Sequence, residues 1–194
     1  MEELKVISGN TPDEVWQNIG KDLEVDPNLI EYSVIIEHLG HSVTFDIDID
    51  LGGGFEGGYT LTRFTSNLKR FDDFRFNLHR QDFVDSIGKL FGMEDILIGY
   101  PDFDKEIVVK SNDEERIKDI LSLSEVRETI QTLPDFNFHI GHHNSSNTEV
   151  ESAFLELRID DGITDPEKLR PIYNAFLMVL DKVDLDSNPN TKYM

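Results

Sequence analysis

Residues 30–58 read IEYSVIIEHLGHSVTFDIDIDLGGGFEGG, and the reading of this stretch decides the fold. Val43, Phe45, Ile47, Ile49 and Leu51 alternate with Ser42, Thr44, Asp46, Asp48 and Asp50. A period of two sustained this long puts one set on a buried face and the other in water, as in a half-buried strand. Upstream, Ile30, Tyr32, Val34 and Ile36 alternate with Glu31, Ser33, Ile35 and Glu37. A chain reversal at Leu39-Gly40 pairs Ile36 with Val43, Val34 with Phe45, Tyr32 with Ile47 and Ile30 with Ile49. All four pairs then share one face, as an antiparallel sheet with one wet side requires. Leucine is strained at positive φ, so a four-residue loop over 38–41 is expected rather than a two-residue turn. Both options keep the same register.

That register sets Glu31 opposite Asp48, with Glu37, Asp46 and Asp50 close by. Directly opposed like charges destabilise a sheet. The plainer reading is a solvated face, its repulsion screened over about 8 Å. The functional reading is an acidic face for a basic partner. Two familiar motifs fail here. Asp46-x-Asp48-x-Asp50 starts like a calcium loop, but the sixth and twelfth places hold Leu51 and Gly57 instead of Gly and Glu. Gly52-x-Gly54-x-x-Gly57 has dinucleotide-loop spacing, yet the β-rich Tyr59-Thr60-Leu61-Thr62 follows where a helix must hold the phosphates. No Lys-Ser/Thr pair makes it a P-loop either. The glycines read as a link between strands.

At 194 residues the chain suits one domain, expected over 1–183 with a frayed tail at 184–194. It has no cysteine, hence no disulfide frame and no thiolate chemistry. No leader region or long apolar run is apparent, so a cytoplasmic setting is expected and the Asn144-Ser145-Ser146 sequon is idle. With 39 acidic and 18 basic residues the net charge is −21, which argues against nucleic acid and anionic membranes. The same charge suits a basic protein partner.

Outside the hairpin, Thr11-Pro12 with Glu14 predicts a capped helix carrying Val15, Trp16, Ile19 and Leu23 inward. Between residues 63 and 80 the balance reverses: Arg63, Lys69, Arg70, Arg75 and Arg80 meet only Asp72 and Asp73. Arg75, Asn77 and His79 alternate with Phe74, Phe76 and Leu78, so they line one strand face. With Arg63 they could form an anion or small-ligand cleft; internal pairing with the acidic hairpin is the plainer expectation, with Arg63 or Arg75 relieving Glu31 and Asp48. A helix is expected over 81–91, strands over 96–99 and 103–110, and a helix after Asn112-x-x-Glu115. Another helix starts near Ser124, two strands run through Phe136–Phe138–Ile140 and Ala153–Leu155–Leu157–Ile159, and Asp165-Pro166 opens a final helix. Pro171 is expected to break or kink that helix.

Five of six histidines fall in two groups, His38 with His41 and His139 with His142 and His143. Zinc would need both groups to meet with a carboxylate; exposed turn histidines are the plainer reading, and no metal or other cofactor is expected. No Gly-x-Ser-x-Gly elbow or recognisable acid pair points to an enzyme. Residues 99–121, with Gly99, the turn, Phe103-Asp104 and the cap at Asn112, resemble a pattern in uncharacterised bacterial proteins. The resemblance implies a bacterial source and a strand–helix module, with no activity attached. Phe103 reads as core and Asp104 as a turn or cap acceptor. Strand groups interleaved with amphipathic helices predict an α+β fold, a mostly antiparallel sheet with helices on one face, built from two loosely similar halves.

Overall fold

The hairpin register read from the sequence is the one observed. A computed structural model describes residues 4–9, 11–25, 29–53, 57–69, 72–81, 92–143 and 152–186. In it β2 (Glu31–His38) and β3 (His41–Asp50) pair antiparallel, with Val34 opposite Phe45, Ile36 opposite Val43 and Tyr32 opposite Ile47. The Ile49 amide donates to the Ile30 carbonyl at 2.7 Å, extending the ladder to the fourth expected pair. The turn differs from expectation. His38 faces His41 directly, and Leu39 (φ 52°) and Gly40 (φ 78°) make a two-residue link. Two left-handed residues match the twist of the flanking strands. Two buried apolar pairs, with half-buried Tyr32 against Ile47 beyond them, fix the register tightly enough to hold Leu39 where leucine is strained.

The glycine stretch is a strand link. Gly52 has φ 68°, and a Cβ on Gly58 would lie 2.3 Å from the Asp50 carbonyl oxygen. The chain then enters β4 (Tyr59–Asn67), antiparallel to β3. On the other side of β2 lies a strand the sequence pattern does not announce, β1 (Lys5–Ser8), paired in parallel. Four residues are too few to show a period. The crossover is α1 (Pro12–Val25), whose Glu14 amide donates to the Thr11 hydroxyl at 3.2 Å, and Val15, Trp16, Ile19 and Leu23 are its buried positions. Asp22 ties the three elements together by accepting from Lys5 (2.6 Å) and from the Tyr32 hydroxyl (3.1 Å).

The remaining strands are β5 (Phe76–Arg80), β6 (Glu94–Asp95), β7 (Ile107–Ser111), β8 (Phe136–His143) and β9 (Ser152–Ile159), with helices α2 (Pro101–Glu106), α3 (Glu114–Ile120), α4 (Ser124–Thr132) and α5 (Pro166–Asp186). Among the described residues one nine-stranded sheet runs β1-β2-β3-β4-β9-β8-β5-β7-β6, antiparallel at every junction except β1 with β2. The fold class is therefore α+β. Both halves run strand, helix and antiparallel pair, but β5 separates β7 from β8 where β1 abuts β2.

Several local expectations change. The expected strand over 103–110 begins as α2, because Pro101 suits a first helical turn and Asp104 accepts from the Ile98 and Gly99 amides (2.9 and 2.8 Å). Phe103 is buried as expected. The expected strand over 96–99 is not formed; a two-residue strand, β6, lies just before it. Asp113, and not Asn112, caps α3 by accepting from the Arg116 amide at 3.1 Å; Asn112 instead holds the Arg75 amide and the Asp73 carbonyl. The helix expected over 81–91 lies, from 82 on, outside the described residues. α5 passes Pro171 unbroken and continues to Asp186, past the expected tail boundary.

Among the described residues, helices α1 to α5 all feed one core. Trp16 lies 6.3 Å from Phe45 and 5.5 Å from Tyr173, and Phe176 of α5 touches both Phe64 and Phe138. Phe176→Ala should cost about 3–5 kcal/mol in chemical denaturation, since it removes a fully buried ring that bridges the two halves of the sheet. Leu39→Asn should stabilise by about 1 kcal/mol, because asparagine accepts a left-handed backbone and Asn-Gly suits this turn. A lower denaturation midpoint for the Asn variant would contradict the turn geometry.

Candidate functional site

Because the core lies on one side of β2, β3 and β4, the alternate residues of these strands emerge on the other. On β2, β3 and β4 these open-face positions include Glu31, Glu37, Asp46, Asp48 and Asp50, and Arg63 is their one base. Glu31 stands opposite Asp48, as the register demanded. Neither arginine suggested from sequence relieves that opposition. Arg63 faces Asp46 in the ladder and donates to it from Nε (3.1 Å) and Nη2 (2.9 Å); Ser33 donates to the same carboxylate at 2.5 Å. Asp48 accepts from the Tyr59 hydroxyl at 2.5 Å, which holds that phenol above its ordinary pKa. Asp50 accepts from the Gly52 amide at 2.8 Å. Glu31 and Glu37 are exposed.

The basic residues do not form the cleft suggested from sequence. Arg63 lies on β4, and β9 and β8 separate it from β5, which places Asn77 and His79 three strand spacings away, about 14 Å. Asn77 is buried and donates to Asn137 at 3.1 Å, and the buried His79 donates from Nδ1 to the Arg80 carbonyl at 2.8 Å. Arg75 precedes β5, and its main chain is held by Ser111 and Asn112.

The histidines also depart from expectation. His38 and His41 are buried, at 4% and 8% exposure. His41 lies between two α5 carboxylates, Nε2 at 2.7 Å from Asp181 and Nδ1 at 3.5 Å from Asp184, and Lys69 is 3.9 Å from Asp184. Among the described residues both ring nitrogens of His38 are buried without a hydrogen-bond partner, and burial, together with the neighbouring His41 charge, lowers its pKa. The pairing places His38, His41, Leu68, Ala153 and His142 along one row. β4 and β9 separate His41 from His142 by about 14 Å, so the two groups do not meet. His139 and His143 belong to β8, not to a loop, and His139 packs edge-on to Phe154 with its pKa lowered mainly by burial. Among the described residues no three His, Asp or Glu side chains are placed to hold a metal ion.

One concavity was not legible in the sequence. Between α4 and the start of α5 lies a cleft of about 760 Å³, with Leu133, Ile163 and Ile172 as its floor. These residues come from separate segments and share no spacing signal. Among the described residues no helix is long and apolar enough to cross a membrane.

The fold and the open face define an acidic α+β protein with a mostly antiparallel sheet. No protein-family model matches the chain, and no curated protein does. Among solved structures it is similar to the mycobacterial trehalose monomycolate transport factor A, TtfA, with a TM-score of 0.42 and 10% identity over 86% of this chain and 78% of that one. A likeness this slight carries no functional argument.

Two outcomes test this geometry. Arg63→Met should cost about 1–3 kcal/mol, because Asp46 keeps its half-buried carboxylate without its counter-charge; a Met variant as stable as the parent refutes the pairing. The lowered pKa values of His38 and His139 mean that the unfolded chain binds protons the folded one resists. Their contribution to stability is whole above about pH 6.5, the unfolded value, and falls as the pH drops below it. His38→Phe should therefore flatten the pH dependence of the denaturation midpoint between pH 7 and 5, relative to the parent.

Proposed function

We propose that this chain is a non-catalytic interaction protein, of immunity or regulatory type, that engages a basic protein partner through the open face of β2 and β3. The observation that carries this reading is the charge imbalance on that face: five carboxylates against Arg63, which is already spent on Asp46. Glu31, Glu37, Asp48 and Asp50 are left without a basic neighbour at the open-face positions of these strands, and Glu31 directly opposes Asp48. Like charges held together in a fixed register raise the local potential, and an incoming cationic surface relieves the repulsion it meets. The net charge of −21 extends the field and speeds encounter with a basic partner. Asp46 is structural in this reading, so the contact falls on Glu31, Glu37 and Asp48. A cytoplasmic setting suits such a role.

A lysate pull-down followed by cross-linking mass spectrometry tests it. Cross-links should map to residues 31–50 on a basic protein whose capture weakens as salt rises. Glu31→Gln with Asp48→Asn should reduce that capture at least tenfold. Capture that is insensitive to both salt and these changes, or cross-links confined to the helical side, would sink the reading. The alternative class, a small-ligand protein, is favoured by one observation, the cleft beside α4.

A further inference from the structure

The α4–α5 cleft lies on the helical side, away from the acidic sheet face, and its chemistry is separate. Its volume, about 760 Å³, is in the range that encloses a small organic molecule. The floor is apolar: Leu133, Ile163 and Ile172 are each under a tenth exposed, yet all three border the cleft.

The rim decides the charge of the occupant. A helix start usually attracts anions, but this one is already filled from within the chain. The Asp165 carboxylate accepts from the Glu167 amide at 3.0 Å, and the Asp165 carbonyl accepts from the Lys168 and Leu169 amides at 3.1 and 3.0 Å. No donor of that first turn is left for an external phosphate or carboxylate. Around it stand Glu128, Asp161, Asp165 and Glu167 against a single cation among the lining residues, Lys168. Pro171 adds an acceptor. It has no N–H, so the Glu167 carbonyl one turn earlier lacks its helical donor, and both residues line the cleft. A floor that takes hydrocarbon, a rim of carboxylates and a carbonyl freed by proline match a molecule that is apolar at one end and a hydrogen-bond-donating cation at the other.

We propose that this cleft binds an amphipathic organic cation, an ammonium or guanidinium group carried on an apolar stem. The stem covers Leu133, Ile163 and Ile172, and the cationic head lies among Glu128, Glu167 and the Glu167 carbonyl. The site stands independently of the sheet-face reading, since the two share no residue.

The test titrates the full chain, followed by two-dimensional amide NMR, with 4-phenylbutylammonium and two probes of the same shape, 4-phenylbutanol and 4-phenylbutyrate. The expected result is saturable shifts confined to residues 128–134 and 161–172 with the ammonium, weaker binding of the alcohol, and none of the carboxylate. Glu128→Gln with Glu167→Gln should weaken the ammonium at least threefold and leave the alcohol unchanged; the same spectra report whether this variant is folded. Ile172→Trp, which fills the floor, should abolish binding of both. Alcohol binding as tightly as the ammonium, carboxylate binding more tightly, shifts outside these segments, or no saturation would each overturn the proposal.

Discussion

The structure depends on a contact between two rings of neighbouring strands. Phe45 and Phe64 are stacked, 4.7 Å apart and only 8° from parallel, at the point where β3 meets β4. Rings from both flanking helices are placed against that pair. Trp16 leans on Phe45 from α1, Tyr173 and Phe176 lean on Phe64 from α5, and Phe176 passes the contact on to Phe138 across the second half of the sheet. Aromatic contacts of this kind add to the burial of area, which is itself the main stabilising term. The chain fixes which face is inside by committing Phe45 and Phe64 to one side of β3 and β4.

The open face follows from that commitment. Once Phe45 and Ile47 point inward, Asp46 and Asp48 must point outward, and the carboxylates of β3 are collected in one row whether or not they repel. The chain offsets part of the repulsion locally. Arg63 and Ser33 hold Asp46, Tyr59 holds Asp48, and a glycine amide holds Asp50. Glu31 and Glu37 are left to solvent or to a partner. Scaffold and surface thus come from one alternation, and the acidic face costs the fold something it recovers only in part.

The sequence alone determined the β2–β3 register and the capped first helix with its four inward residues. Each is a local pattern: a period of two or 3.6, or a cap three residues from its acceptor, and short-range geometry is enough to read it. Tertiary structure decided the rest. β1 is too short for periodicity and exists because Ile7 can reach Ile36 across a crossover. Leu39 adopts a backbone that leucine avoids, because buried pairs on both sides outweigh the local preference. His41 is buried, although turn histidines usually face water, because the end of α5 sets Asp181 and Asp184 against it. Arg63 was legible as a counter-charge, but its partner was not, since that depends on which strand lies beside β3. The cleft was invisible for the same reason: its floor and rim come from segments whose proximity no spacing along the chain encodes.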